Sequence, residues 1–245
     1  MKRVHFLFGL LGMTMVPVVV FRSELAAAVS IAKRATRSKQ TVRSRLQEFG
    51  DKARGRLKPF FARAQVPYPP SRAVLVGIKG EKRLEVYAAG SKSSMRHIAT
   101  YPVLAASGGA GPKLREGDRQ VPEGLYQIEA LNPNSSFHVS LRVNYPNAFD
   151  REQARHDRRT ELGGEIMIHG SAVSIGCLAM GDPAAEELFT LAADTGLKNI
   201  SVILTPVDFR LGQSVPSDAN LPAWTKTLYS QIRTQLQLLP AAPRR

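Results

Sequence analysis

One cysteine, Cys177, stands in 245 residues, so no internal disulfide can staple this chain and no cysteine pair offers a structural zinc site. His97, His138 and His156 fall at no metal-ligand spacing. Aromatic residues make up 7% of the chain with a single tryptophan, which removes the stacking side chains that a sequence-tolerant nucleic-acid binder relies on. The glycine-rich stretch Ser107-Gly108-Gly109-Ala110-Gly111-Pro112 is followed by neither a Gly-Lys-Ser/Thr triplet nor the opening of a helix. It reads as a flexible loop and not as a phosphate cradle. No cofactor is expected from the sequence.

Acidic residues are also scarce in one place. The formal net charge is +14, yet residues 22–66 hold twelve Lys or Arg against three acids, a local +9, and Lys2 and Arg3 supply another +2. The other 179 residues carry only +3, so the body of the chain is nearly balanced. A basic segment poor in aromatics suits an anionic membrane surface better than bases. Leu25, Val29, Ile31, Val42, Leu46, Phe49, Leu57 and Phe60 punctuate it at loosely helical intervals, which predicts a helical, surface-lying stalk, with a solvated linker as the alternative. Ahead of it, the basic head Lys2-Arg3 and the apolar run Val4 to Phe21 have the form of an export signal. Small residues at Ala26-Ala27-Ala28 suit cleavage, while the length of the run suits an uncleaved signal-anchor. Either way the chain is expected in the cell envelope, the periplasm. An exported chain with one unpaired thiol keeps that thiol for use.

Pro67-Tyr68-Pro69-Pro70 is a stiff boundary. After it, Ala73 to Ile78 and Arg83 to Ala88 read as a hairpin around Lys79-Gly80-Glu81-Lys82, and further β-rich runs follow at 97–105, 124–130, 137–143, 165–169, 173–177 and 199–204. Asp182 reads as an N-cap with Pro183 at the first helical position, and the spacing of Leu221, Trp224, Leu228, Ile232 and Leu236 predicts a C-terminal amphipathic helix. The fold class is α+β, mainly β: a mixed-sheet sandwich with a few peripheral helices. The expected divisions are 1–28 signal peptide or signal-anchor, 29–70 basic stalk, 71–210 the main β-rich domain and 211–245 helix and tail.

The chemistry concentrates in Ile166 to Cys177, where His169 precedes Cys177 by eight positions. A free thiol with a pKa near ~8.5 is mostly protonated at neutral pH, and a neighbouring imidazole can take its proton. Gly176 would let backbone N–H groups of Ile175, Gly176 and Cys177 approach a reacting carbonyl, with Ser174 orienting the imidazole or holding the turn. The plain alternative is a buried structural cysteine.

His169-Gly170 followed by Ser174-Ile175-Gly176-Cys177 resembles the signature of the YkuD-type L,D-transpeptidase catalytic domain. Gly117-Asp118 with Pro122-Glu123-Gly124-Leu125-Tyr126 extends the resemblance, and Tyr145 to Asp150 with Gly163-Gly164 is similar to the YafK-like branch of murein amidases and related enzymes. Together the matching stretches run from about Ala73 to Pro206. The resemblance implies a YkuD-like fold and a cysteine enzyme acting on peptidoglycan stem peptides next to diaminopimelate. It gives Cys177 the role of nucleophile and His169 that of general base, with Ser174, Ile175, Gly176 and Gly170 in support. Ile175 stands where the commoner pattern has a second histidine, and Leu178-Ala179-Met180 follows the cysteine, which leaves the acceptor open between water and an amine. Tyr145, Arg155 and Arg158 are the candidate substrate contacts, since arginine grips stem carboxylates bidentately. The rival from another class is a non-catalytic wall-binding module. Nucleic acid is not an expected partner.

Overall fold

The two central strands are apolar on both faces, and this decides the layering. Eight strands form one mixed sheet: β1 (Arg72–Ile78), β2 (Arg83–Ala89), β3 (Arg96–Pro102), β4 (Gly124–Asn132), β5 (Ser140–Val143), β6 (Met167–His169), β7 (Leu178–Ala179) and β8 (Ile200–Thr205). Their order across the sheet is β3-β2-β1-β8-β4-β5-β6-β7. β1 and β8 lie parallel at the centre, with Ala73 opposite Ile200 and Ile78 opposite Thr205. Leu75, Val202 and Leu204 turn to one core, while Val76, Ile78 and Ile203 turn to the other. A parallel pair of this kind needs cover on both sides. A register shift between Ile128 and Ala130 bends β4, where the outer strands β5, β6 and β7 begin.

The structure, a computed structural model, describes residues 39–215 and 221–243. The expected signal or anchor, 1–28, and the stalk up to residue 38 lie outside the described residues. No helix among the described residues is long and apolar enough to cross a membrane.

Four helical segments besides a short first turn supply the cover. α1 (Val42–Arg45) runs through a π-helical turn, Leu46–Gly50, into α2 (Asp51–Ala64); α3 spans Ala148–His156, α4 Asp182–Thr195 and α5 Thr225–Gln237. Thr41 and Ser44 cap α1 reciprocally, each hydroxyl accepting from the other's backbone N–H. Phe49, Ala53, Leu57 and Phe61 recur every fourth residue, and all four are buried in the core that α4 shares. Arg54 donates from Nε and Nη2 to the two carboxylate oxygens of Asp194 at 2.8 Å, a bidentate clasp between α2 and α4.

This corrects the stalk expectation for residues 40–70. From Gln40 onward the segment belongs to the same compact unit as the sheet. It is no free stalk, because its apolar stripe packs into the core and Arg54 and Arg56 pair with acids of α4. The stripe read in the sequence is borne out at Phe49 and Leu57, with Val42 and Leu46 packed partly buried against the core; at its end Phe61 enters the core and Phe60 is only partly buried.

The β1–β2 hairpin forms as its pattern indicates, with Ile78 opposite Arg83. The run 137–143 shortens to β5 because His138 takes a left-handed φ of 74°, and 165–169 shortens to β6 because Glu165 does so at 56°. No strand forms at 173–177. Gly176 has φ 93°, outside extended backbone for an L residue, and only Leu178–Ala179 pair. α5 presents Leu228, Ile232 and Leu236 to the second core. Beneath it, Lys79 Nζ and Glu123 Oε1 form a buried ion pair at 2.9 Å, while the Tyr229 hydroxyl donates to the other Glu123 oxygen at 2.7 Å. The sheet end and the last helix are thereby tied through one carboxylate.

Phe61 offers a direct check on the docked helix. Phe61→Ala is expected to lower unfolding free energy by about 3–5 kcal/mol in urea titration, as full burial of an aromatic demands, whereas a solvated stalk would lose almost nothing.

Candidate active site

β6 is only three residues long and divides its side chains between two environments. Ile168 faces the main core, while Met167 and His169 face the other way, paired across to Arg142 and Ser140 on β5. Gly170 follows, and only glycine fits there: a Cβ would come within 2.5 Å of Asp182 Oδ1 and 2.8 Å of the Phe137 carbonyl. The chain then loops through residues 170–177 and returns as β7, parallel to β6, with Ile168 opposite Leu178. Two bonds close the loop at its base, Met180 N–H to His169 O at 2.8 Å and Gly181 N–H to Ser171 O at 2.9 Å. Asp182 is the first residue of α4 and not its cap. Its Oδ1 accepts from Ser171 N–H at 2.8 Å, and Gly181 occupies the cap position.

The sulfur of Cys177 sits at the open end of the β6–β7 pair. It accepts from Met167 N–H at 3.4 Å and lies 3.5 Å from the Glu165 carbonyl, to which the thiol donates. Burial pushes the thiol above its ordinary pKa, against the Met167 N–H, which favours the thiolate. The backbone of Cys177 is clamped by Ser174, whose hydroxyl accepts from Cys177 N–H at 2.9 Å and donates to Cys177 O at 2.6 Å. Ser174 therefore holds the turn. Gly176 N–H donates to Ser107 Oγ at 2.6 Å, and Ser107 in turn donates to Arg119 O at 2.7 Å. The amides of Gly176 and Cys177, expected to face a substrate oxyanion, are thus both engaged by hydroxyls, and the Ile175 side chain is 77% exposed.

His169 is 1% exposed. Its Nδ1 lies 2.6 Å from the Gly170 carbonyl, which can only accept, so the proton sits on Nδ1 and Nε2 keeps its lone pair. Nε2 is buried and has no hydrogen-bond partner among the described residues. Phe137 stacks on the ring at 4.6 Å and 27° while remaining 40% exposed itself. Burial lowers the imidazole pKa below its ordinary value, opposed by the bond to Gly170. The register places His169 two residues along β6 from Met167, whose amide touches the sulfur, an interval of about 7 Å measured along the strand. The two groups thus share one short strand pair but are not hydrogen-bonded to each other: the thiol donates to Glu165 O, and Nε2 accepts from nothing among the described residues.

The structure places the three expected substrate contacts as follows. Tyr145 is buried, and its hydroxyl donates to the Lys113 and Leu162 carbonyls at 3.3 Å each, so it braces two loops beside the cysteine. Arg155 lies on α3 and pairs with Glu152. Arg158 falls beyond the helix end with φ 56°, so the two arginines do not share a helix face. The residues that sequence reasoning missed are Ser107, Phe137, Ser140 and Glu165. Each reaches the site through chain pairing or loop return, and none stands in a motif.

Two pH measurements follow from this geometry. Alkylation of Cys177 by iodoacetamide is expected to rise through a midpoint above the ~8.5 of a free cysteine, and a midpoint below it would contradict the burial of the thiol. Phe137→Ala should admit water to the imidazole and raise its pKa toward ~6.5. A base must be neutral, so activity in that variant should fall at a higher pH than in the parent as acid is added. The acid limb of the pH–rate profile reads this shift.

Residues 71–207 match the family described as YkuD: L,D-transpeptidase catalytic domain. The Escherichia coli (strain K12) protein named "Putative L,D-transpeptidase YafK" is 34% identical over 164 residues, 65% of this chain and 61% of its own length. The chain therefore spans about three-fifths of that relative. Among solved structures, the helical cell shape determining protein Pgp2 from Campylobacter jejuni is 26% identical with a TM-score of 0.43, covering 54% of this chain and 47% of Pgp2. Mycobacterium tuberculosis L,D-transpeptidase 1 is 17% identical with a TM-score of 0.32, covering 55% of this chain and 62% of that one. With more than half of its length matched, the chain belongs to the YkuD L,D-transpeptidase catalytic domain family.

Proposed function

We propose that this chain is an exported cysteine enzyme that acts on peptidoglycan stem peptides at a bond next to diaminopimelate. The observation that supports the reading is a thiol seated on Met167 N–H, at the strand that also carries a buried imidazole whose tautomer leaves Nε2 able to accept. Cys177 attacks the carbonyl, and the thiol proton passes to Nε2 of His169. The new oxyanion takes the place of Ser107 Oγ at the Gly176 N–H, a bond already short at 2.6 Å. When the tetrahedral adduct collapses, the proton on Nε2 goes to the departing amine and the acyl group stays on sulfur. His169 then takes a proton from water or from an acceptor amine, which releases the acyl group by hydrolysis or by transpeptidation. The exposed Ile175 beside the cysteine leaves a wall with no second imidazole, which favours water. The stretches shared with the YafK-like branch support release of a wall-linked protein by the same hydrolysis. Export rests on Lys2-Arg3 and the apolar run to Phe21.

A non-catalytic wall-binding module is the second reading, and the thiol held protonated by burial is the feature that favours it. Incubating purified muropeptides with the parent protein and with Cys177→Ser, followed by mass spectrometry, separates the two. Shortened stems with the mass of water added are expected from the parent alone, and dimers would mark an amine acceptor. Unchanged muropeptides in both would support the binding module.

A further inference from the structure

The loop that receives the thiol also carries a charged cluster that the catalytic pair does not use. Glu165 accepts from Cys177 Sγ through its carbonyl, and its carboxylate lies 3.0 Å from Arg142 Nη2. Arg142 sits on β5 opposite Met167, the residue whose N–H touches the sulfur, so its Cα is one strand spacing, about 5 Å, from that contact. On its other side Arg142 Nε lies 2.7 Å from Glu129 Oε1, yet Nε is buried and makes no aligned hydrogen bond. The guanidinium has five N–H donors, and these two carboxylates leave most of them unspent. All three side chains remain open to solvent, at 42%, 42% and 70% exposure for Arg142, Glu129 and Glu165. Arg142 and Glu129 line a cavity of about 420 Å³ together with Asn144, Arg151, Gly163 and Gly164, and Glu165 follows Gly164 in the chain and reaches the cavity through its ion pair to Arg142.

The charges select the ligand class. Two guanidiniums, Arg142 and Arg151, against two carboxylates, Glu129 and Glu165, leave no net charge, so the cluster favours neither a simple anion nor a simple cation. A group bearing ammonium and carboxylate on one carbon satisfies both signs, with the carboxylate on Arg142 and the ammonium between Glu129 and Glu165. Free diaminopimelate ends of peptidoglycan stems have this chemistry. We propose that Arg142, with Glu129 and Glu165, forms a subsite for a zwitterionic amino-acid centre of the substrate, a specificity site set beside the nucleophile. This rests on the stem-peptide reading above. The site takes the role expected of Arg155 and Arg158, neither of which lines this cavity.

Binding tests the subsite without turnover. Isothermal titration of Cys177→Ser protein with a stem tripeptide ending in diaminopimelate, unblocked at its side-chain centre, should lose about tenfold or more in affinity when Arg142→Ala is added, the scale of a lost charge-assisted hydrogen bond. Arg142→Lys should recover part of the loss. The same tripeptide with that centre N-acetylated and amidated should bind the Cys177→Ser protein as weakly as the unblocked peptide binds the Arg142→Ala form. Equal binding of blocked and unblocked peptides, or no loss with Arg142→Ala, overturns the subsite. Turnover separates the two levels: muropeptides left uncut by the parent protein would refute the enzyme while the titration still decides on Arg142. In an active parent, the Arg142→Ala effect should fall on KM with kcat little changed, and equal losses on blocked and unblocked substrates would refute the assignment.

Discussion

Parallel pairing between two strands joined by only eight residues is the constraint on which the site depends. Parallel neighbours ordinarily need a crossover of a dozen residues or more, because the chain must travel back to its starting end. Here residues 170–177 make that return within one compact loop, and the cost in backbone strain is visible at Ser171, with φ 62°, and Gly176, with φ 93°. The loop holds because its base is bonded twice, by Met180 and Gly181, and its tip twice, by Ser174 and Ser107. Cys177 is therefore delivered to the end of β6 by backbone geometry. His169 lies on β6 itself, two residues from the Met167 amide that touches the sulfur.

The N-terminal helices take part in the same construction from a distance. Arg45 donates from Nε to Pro133 O at 2.9 Å, while Gln40 N–H donates to Asn134 Oδ1 at 2.8 Å and Asn134 Nδ2 donates back to Gln40 O at 2.7 Å. These bonds fix the loop that leads to Phe137, the ring stacked on His169. His138, next in the chain, turns the other way to meet Glu186 of α4 at 3.1 Å and to pack against Phe49. One dipeptide thus lies over the imidazole with its first side chain and anchors in the helical layer with its second. Of the seven basic residues in 40–64, Arg45, Arg54 and Arg56 serve such fastening.

How much of this the sequence revealed depended on the range of the interaction. The β1–β2 hairpin, α4 and α5 were legible because their patterns are local: alternation around Lys79-Gly80-Glu81-Lys82, apolar residues on one helical face, and proline beside a helix start. The cysteine and histidine were legible through their motif. The docked helix was misread because apolar spacing shows a stripe but not what covers it, and Asp194 lies 140 positions from Arg54. Arg142 was invisible for a related reason. It reaches the cysteine only through the β5–β6 pairing, and nothing near it in the chain signals that register. Tyr145 shows the opposite error, a residue in a recognisable stretch whose hydroxyl proves to be a brace.

The protonated resting state of Cys177 has a consequence for survival of the thiol. Oxidants and disulfides attack the thiolate, and damage climbs from sulfenic to irreversible sulfonic acid in proportion to how much thiolate is present. A sulfur kept neutral by burial, with its proton held toward Glu165 O, offers little of that form between substrates. Low idle nucleophilicity is therefore protective: a lone cysteine without a resolving partner would have no route back from overoxidation, and its burial keeps that route from being needed.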